Sequence, residues 1–384
     1  MNFDQKIRAL NHKRIDFFRA LKLKLALILF SPFSRFNEYN SDYYTLVLRM
    51  DDKLGDSITA TGFLKSLKPR KVIVVACPTT ALIYKKLNFI DQVLVAEKGF
   101  FSTLILFFKL KHYRYNEIIN TSHILNPRVL FLVSWLSSQK KISFGNHSNK
   151  LFTDHIQIDF KNEHVTERYK KVLTLLHGSR FGSGVVNLDY HIELDSEVLI
   201  QAQNTIDLLR KKSRNIIVLN SFAGARLRNF NQKTTMDIVQ KLLKNQDVLV
   251  LSIANAGDHQ ILNSWMMDAG GSSGECFNGR WVHFSNLSSI EMNMALVHSS
   301  DLIITPDTAW VHIASALRKK IVAVYREDSK LDDEVNSVIW APYKTHAQII
   351  FAPSTALNPQ DINNVDTNAV VLKAFEMMGL GVVE

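Results

Sequence analysis

The stretch DLIITPDTAWVHIASAL, Asp301 to Leu317, decides the fold. Asp301 to Thr305 is a short run of large apolar and β-branched residues, as in a buried strand. Pro306 closes it, and Ala309 to Leu317 places apolar residues at helical spacing. A strand that passes so directly into a helix is the repeating piece of an α/β fold. Asp307 or Thr308 caps the helix, since either side chain accepts a hydrogen bond from the first-turn amides. The free N–H groups and the dipole at that end form an anion site suited to a diphosphate. His312 lies one turn inside the helix, near the same end. A lone helical histidine is commonly a satisfied core residue, but this one stands beside the expected phosphate site.

Working outward, the same alternation fills the C-terminal half. Asn215 to Asn220 and Asp247 to Ile253 are strands, as is Lys320 to Tyr325. Thr234 to Leu243, Gly257 to Met267, Ser289 to Ser299 and Ala369 to Met378 are helices, and the Gly/Ser-rich Ala269 to Gly279 is a surface loop. After the strand ending at Asn220 comes SFAGARLRNF, Ser221 to Phe230. Its small residues allow close backbone approach, and Arg226 and Arg228 supply fixed charge for a leaving diphosphate, or else form a solvated basic loop.

A first alternating series precedes this one. Thr45 to Met50, Lys71 to Ala76, Gln92 to Ala96 and Glu117 to Asn120 are strand-like. Ile58 to Leu67, Phe101 to Leu110 and Val129 to Leu136 are helical. Ser143 to Asp195 is less regular, with a turn-rich patch at Gly178 to Gly184, and the connection between series falls there. The expected class is therefore α/β. A basic extension over 1–42 precedes a Rossmann-like domain over 43–195 and a second over 196–384. Two doubly wound domains facing each other make a cleft, and ligands sit beyond the carboxyl ends of the strands.

The strand ending at Met50 runs into Asp51-Asp52-Lys53-Leu54-Gly55-Asp56-Ser57. Gly55 permits a tight turn and close approach. Asp56 at the mouth of the next helix is a natural N-cap, and equally a carboxylate placed to take a proton from a sugar hydroxyl. Asp51 and Asp52 are alternatives for that base. No two aspartates are spaced D-x-D, so a metal-bridged diphosphate is not supported.

The chain has 384 residues and a formal net charge of +10. That balance attracts nucleic acid, an acidic membrane or a phosphorylated substrate. No aromatic-basic recognition motif accompanies the charge, which argues against nucleic acid. Within Met1 to Ser34 seven cations face two acids, and Ile7, Leu10, Phe18, Leu21, Leu25 and Ile28 form one helical stripe. This reads as an amphipathic basic helix that lies on an anionic membrane face or packs on its own protein. Its apolar run is too short to span a bilayer, and no signal-peptide cleavage site follows Pro32. Cys77 and Cys276 belong to no CxxC pair, which suggests neither zinc nor a disulfide framework and fits a reduced cytoplasmic setting.

Three blocks of the sequence resemble glycosyltransferase family 9, the lipopolysaccharide heptosyltransferase family, whose fold is GT-B. They are Leu46 to Ile58, Gly224 to Phe230 and Asp307 to Leu317, in the family's order. Weaker echoes are Ser143 to Gly145, His164 to Tyr169 and Trp340 to Pro342. The resemblance implies an inverting glycosyl transfer without a metal or cofactor. Asp56 matches the family's catalytic base. Thr308 and the helix amides would hold the donor diphosphate, with Arg228 at the family's basic position, and Asp307, Ala309 and His312 would shape the donor site. Lys53, Gly55 and Ser57 would line the acceptor-side loop. The implied donor is a nucleotide sugar, ADP-heptose in the family. The implied acceptor is an anionic lipid-linked core oligosaccharide at the inner membrane face. Ala309, Phe230 and Ala223 depart from the family's usual Gly, Trp and Pro. Two alternatives use the same architecture: a nucleotide-sugar epimerase, which leaves the N-terminal helix unexplained, and an inactive nucleotide-sugar binder, against which Asp56 argues.

Overall fold

The computed structural model describes residues 20–26, 28–29, 35–36, 38–40, 42–122, 124–145, 150–178, 187–271, 275–285, 289–327, 334–354 and 361–381. Most of the basic N-terminal segment, and the Gly178 to Gly184 patch beyond Gly178, therefore lie outside the described residues. The chain divides into two units. The first comprises Met1–Lys53, Phe63–Asp159 and Thr166–Leu188, and the second Leu54–Gly62, Phe160–Val165 and Asp189–Glu384.

The first unit carries a seven-stranded parallel sheet. In chain order its strands are β1 (Arg35–Phe36), β2 (Tyr44–Arg49), β3 (Lys71–Ala76), β4 (Gln92–Val95), β5 (Tyr115–Asn120), β6 (Ser137–Phe144) and β7 (Asp154–Ile156). The order across the sheet is β1-β6-β5-β2-β3-β4, with β7 also paired to β6. β2 and β3 are buried throughout their apolar runs because helices cover the sheet. α1 (Leu54–Thr59), which belongs to the second unit, and α2 (Thr61–Ser66) replace the single helix expected from Ile58 to Leu67. The break is local: the Thr59 and Thr61 hydroxyls donate back to the Asp56 and Ile58 carbonyls at 2.8 and 2.6 Å. α3 (Pro78–Tyr84), α4 (Phe100–Leu110), α5 (Pro127–Trp135) and α6 (Val165–His177) follow. α5 is capped by Asn126, whose side chain accepts from the Val129 amide.

In the second unit α7 (Ser196–Arg210) leads to β8 (Asn215–Asn220), α8 (Gln232–Leu242), β9 (Val248–Ile253) and α9 (His259–Asp268). Then come β10 (Glu275–Cys276), β11 (Trp281–Val282), α10 (Ile290–Ser299), β12 (Leu302–Pro306), α11 (Ala309–Ala316) and β13 (Lys320–Arg326). The chain closes with α12 (Asn336–Ile339), β14 (Ala347–Ala352) and α13 (Thr367–Met378). The sheet runs β10-β11-β9-β8-β12-β13-β14, parallel except for the β10–β11 pair. Its core joins Ile217, Leu219, Val250, Ile304 and Val324 from the strands to Ile238, Leu242 and Phe375 from the helices.

Each sheet reverses its winding direction between two neighbouring strands, β2 and β5 in the first and β8 and β12 in the second. Such a switch leaves a crevice at the carboxyl ends of the two strands, because the loops above them depart to opposite sides.

Candidate active site

At the switch of the second sheet the carboxyl ends of β8 and β12 are tied by side chains. Asn220 Nδ2 donates to Thr305 Oγ1 at 3.0 Å and to Thr308 Oγ1 at 3.5 Å. Thr308, not Asp307, is the cap of α11: its hydroxyl accepts from the Trp310 amide at 3.1 Å. Asp307 has another task. It is nearly buried, its amide donates to the Val324 carbonyl, and its carboxylate pairs with Arg228 at 3.0 Å. The Thr308 and Ala309 amides donate to no group among the described residues. A helix start with such amides, next to a half-buried guanidinium, is suited to phosphate oxygens.

Arg228 arrives there because its loop folds back on itself. The Phe230 amide donates to the Ser221 carbonyl at 2.9 Å, and Asn229 Oδ1 accepts from the Ala223 amide at 2.7 Å. Phe230 anchors the loop in the core, with Phe222 stacked on Trp265. The Arg226 side chain lies outside the described residues.

α1 packs across α11 within this same unit. The crossing is at Gly55: a Cβ built there would stand 2.9 Å from His312 Cδ2 and 3.2 Å from Ala309 Cα. Only a glycine lets the two helices approach this closely. Asp56 follows in the first turn of α1 and is half-buried, while Ser57 is fully buried. Asp56 is thus a first-turn residue of a helix that starts at Leu54, and the helix macrodipole favours its negative charge. Lys53 is exposed at the end of the first unit's segment. The other two aspartates of the loop are held by cations in the first unit. Asp51 pairs with buried Arg49 at 3.1 Å, and Asp52 with Lys98 at 2.9 Å. Hydrogen bonds from Lys98 and from the Cys77 thiol hold Asp52 below the usual carboxylate range, and burial pushes Cys77 up to about 12.

His312 is 4% exposed. Burial, with a smaller effect from His164, drives its pKa down to about 3, so it is neutral at ordinary pH and brings no charge to a phosphate. Its Nδ1 has no hydrogen-bond partner among the described residues. The ring is boxed by the edges of Tyr190 and Trp340, with centroids at 6.0 and 5.9 Å. Tyr190 stacks on Tyr343, which stacks on His164, and His164 Nε2 reaches the Ala341 carbonyl at 3.2 Å. The weak sequence echoes at His164 and at Trp340 to Pro342 thus converge on His312. Tyr190, Tyr343, Asn220 and Thr305 carry no motif that sequence reasoning picks out. For Asn220 and Thr305 a signal does exist: each is a polar residue closing an apolar strand, at the carboxyl end where such sheets bind ligands. A further pair without a sequence signature is His259 and His283, whose Nδ1 and Nε2 stand 2.8 Å apart, with His283 Nδ1 against the Ser252 carbonyl. Among the described residues no three His, Cys, Asp or Glu side chains are grouped to share a metal ion.

The family profile "Glycosyltransferase family 9 (heptosyltransferase)" matches residues 104–364, which takes in the Arg228 loop and α11 and begins beyond the Gly55–Asp56 segment. No curated protein matches the sequence significantly. Among solved structures, a glycosyl transferase family 9 protein from Veillonella parvula aligns with a TM-score of 0.69 at 16% identity, over 88% of this chain and 98% of its own. The E. coli heptosyltransferase WaaC with ADP aligns at 0.64 and 13% identity, over 87% and 99%. E. coli ADP-heptose LPS heptosyltransferase II aligns at 0.60 and 15%, over 86% and 99%. At these identities the structures establish the GT-B fold, and the profile establishes the family. The chain belongs to glycosyltransferase family 9, the heptosyltransferase family.

Proposed function

We propose that the chain transfers a heptose from ADP-heptose, with inversion and without a metal ion, to an anionic lipid-linked core oligosaccharide of the lipopolysaccharide type. The observation that carries this reading is the Thr308-capped start of α11 at the strand switch, with the Arg228–Asp307 pair beside it. In this reading the α11 amides and Arg228 take up the charge that develops on the departing diphosphate. Asp56 removes the proton from the acceptor hydroxyl. The hydroxyl oxygen bonds to the anomeric carbon from the face opposite the leaving group, the bond from that carbon to the phosphate oxygen breaks, and ADP departs with the electron pair. Neutral His312 fills the wall behind Gly55 and holds α1, and with it Asp56, at a set distance from α11.

ADP and ADP-heptose are named in the E. coli relatives, which supports the choice of nucleotide and sugar. The excess of positive charge fits a phosphorylated acceptor at the inner membrane face. Calorimetric titration of ADP, UDP, GDP and CMP without added metal tests the donor. Preferential ADP binding, weakened by Thr308→Ala and Arg228→Ala, is the expected result. Preference for another nucleotide would replace the donor, and no binding to any would remove the transferase reading of this site.

A further inference from the structure

One face of the first unit is apolar in a place where solvent selects for polar groups. α4 buries Thr103, Leu106 and Leu110 and turns Phe101, Ile105 and Phe108 to the opposite side. Their i, i+4, i+7 spacing sets these three on one stripe. The helical stretch 20–26, with 28 and 29, repeats the arrangement. Its Leu23 and Ala26 join the same core cluster as Leu106 and Leu110. Its Leu21, Leu25 and Ile28 are exposed at the same spacing. Exposure across the six runs from 42% at Leu21 to 78% at Phe101, so these are not the edges of core residues. Both helices are apolar front and back, and a helix of that kind has its outer face covered by something.

The charge around the stripes selects the cover. Residues 20–29 and 99–115 contain Lys22, Lys24, Lys109, Lys111 and Arg114 and no Asp or Glu. The Lys111 ammonium lies 4.5 Å from the Phe108 ring centroid, so cation and apolar surface are contiguous. An apolar protein groove would cover the stripes and leave the cations unanswered, whereas an anionic bilayer answers both. Among the described residues no helix is long and apolar enough to cross a membrane, which makes the contact interfacial.

We infer that α4 and the helical residues 20–26, 28 and 29 together form a docking surface for an anionic lipid bilayer, with Phe101, Ile105 and Phe108 entering the headgroup boundary. This deepens the reading of a lipid-linked acceptor and rests on it for its purpose, but the surface is testable without any substrate. The test is cosedimentation of the whole chain with phosphatidylglycerol–phosphatidylcholine vesicles and with phosphatidylcholine vesicles. The wild type should bind the anionic vesicles preferentially and release them in salt. The triple variant Phe101→Ser, Ile105→Ser, Phe108→Ser should lower the partition coefficient by about a hundredfold or more, given the transfer free energy of three large apolar side chains. All three positions are exposed, and unchanged ADP affinity of the variant checks that it is folded. Equal binding to both vesicle types, or a triple variant that binds like wild type, would overturn the inference. So would a wild-type dimer in sedimentation that the triple variant abolishes, since the occupant would then be a second copy. Vesicle binding by a protein that ignores ADP would support the surface and sink the donor reading.

Discussion

Substituting alanine for Gly55 tests the geometry of the site more directly than removing any charged group. The added Cβ would stand 2.9 Å from His312 Cδ2 and 3.2 Å from Ala309 Cα. Carbon atoms rest at about 3.5–4.0 Å, so the first contact is short by at least about 0.6 Å and the second by about 0.3 Å. His312 has little room to yield, because Tyr190 and Trp340 flank its ring. Ala309 offers backbone, so Ala309→Gly would relieve only the 3.6 Å contact to its Cβ and leave the closer one to Cα. The helices must therefore part. Overpacking of this kind costs about 1–3 kcal/mol. Against it, replacing a helical glycine by alanine gains at most about 1 kcal/mol. The balance is a destabilisation of about 0–2 kcal/mol, read as a lower denaturant midpoint. Displacing Asp56 by a fraction of an ångström should lower turnover more steeply, by about tenfold to a hundredfold. Gly381→Ala is the control, since a Cβ there meets nothing within 4 Å and the position lies outside the proposed site. A Gly55→Ala protein as stable as wild type, with full turnover, would refute the close-approach argument.

Three further outcomes are expected. Asp56→Asn should keep ADP affinity and lose transfer by about 10²–10⁴-fold, the usual contribution of a positioned base; unchanged turnover would take Asp56 out of the mechanism. Thr308→Ala should cost about 1 kcal/mol in denaturation through loss of the α11 cap, besides weakening ADP; a neutral effect on stability would mean the cap bond at Trp310 contributes nothing. Acid should weaken the fold through His312. Its folded pKa is about 3, below the ordinary 6.5, so the unfolded chain binds more protons between those values and stability falls as pH drops through that window. At pH 5 the loss is on the order of 2 kcal/mol from 1.36 kcal/mol per unit. A His312→Asn variant should show a flatter decline from pH 7 to 5, and an identical slope would show that other groups carry the acid sensitivity.

Strands whose apolar runs are unbroken were legible: Thr45 to Met50, Lys71 to Ala76 and Asn215 to Asn220 lie within a residue or so of β2, β3 and β8. β6 was not, because SSQKKISF carries no apolar run to announce it. Its Lys141 is fully buried with Nζ donating to the Val133 carbonyl at 2.7 Å, a partner that composition does not reveal. β10, inside the Gly/Ser-rich stretch, and β11, just after it, were missed because two-residue strands leave no periodicity. The helix expected from Ile58 to Leu67 became two, since hydroxyl back-bonding by Thr59 and Thr61 competes with the helix ladder.

The sequence by itself determined what is written within one turn of helix or one strand: the two α/β series, the strand-to-helix turns at Gly55 and Thr308, and the residue types a transferase needs at each. Those signals are local, because period and capping act over three or four residues. Tertiary structure alone decided which of two neighbours caps α11, since Asp307 was drawn off by Arg228 and left the cap to Thr308. It also decided that α1 meets α11 at a glycine, and that Tyr190 and Trp340 flank a neutral His312, with Tyr343 and then His164 stacked in turn on Tyr190. Such meetings depend on which strands lie side by side, and sheet order is set by packing of the whole unit and leaves no mark on any single segment.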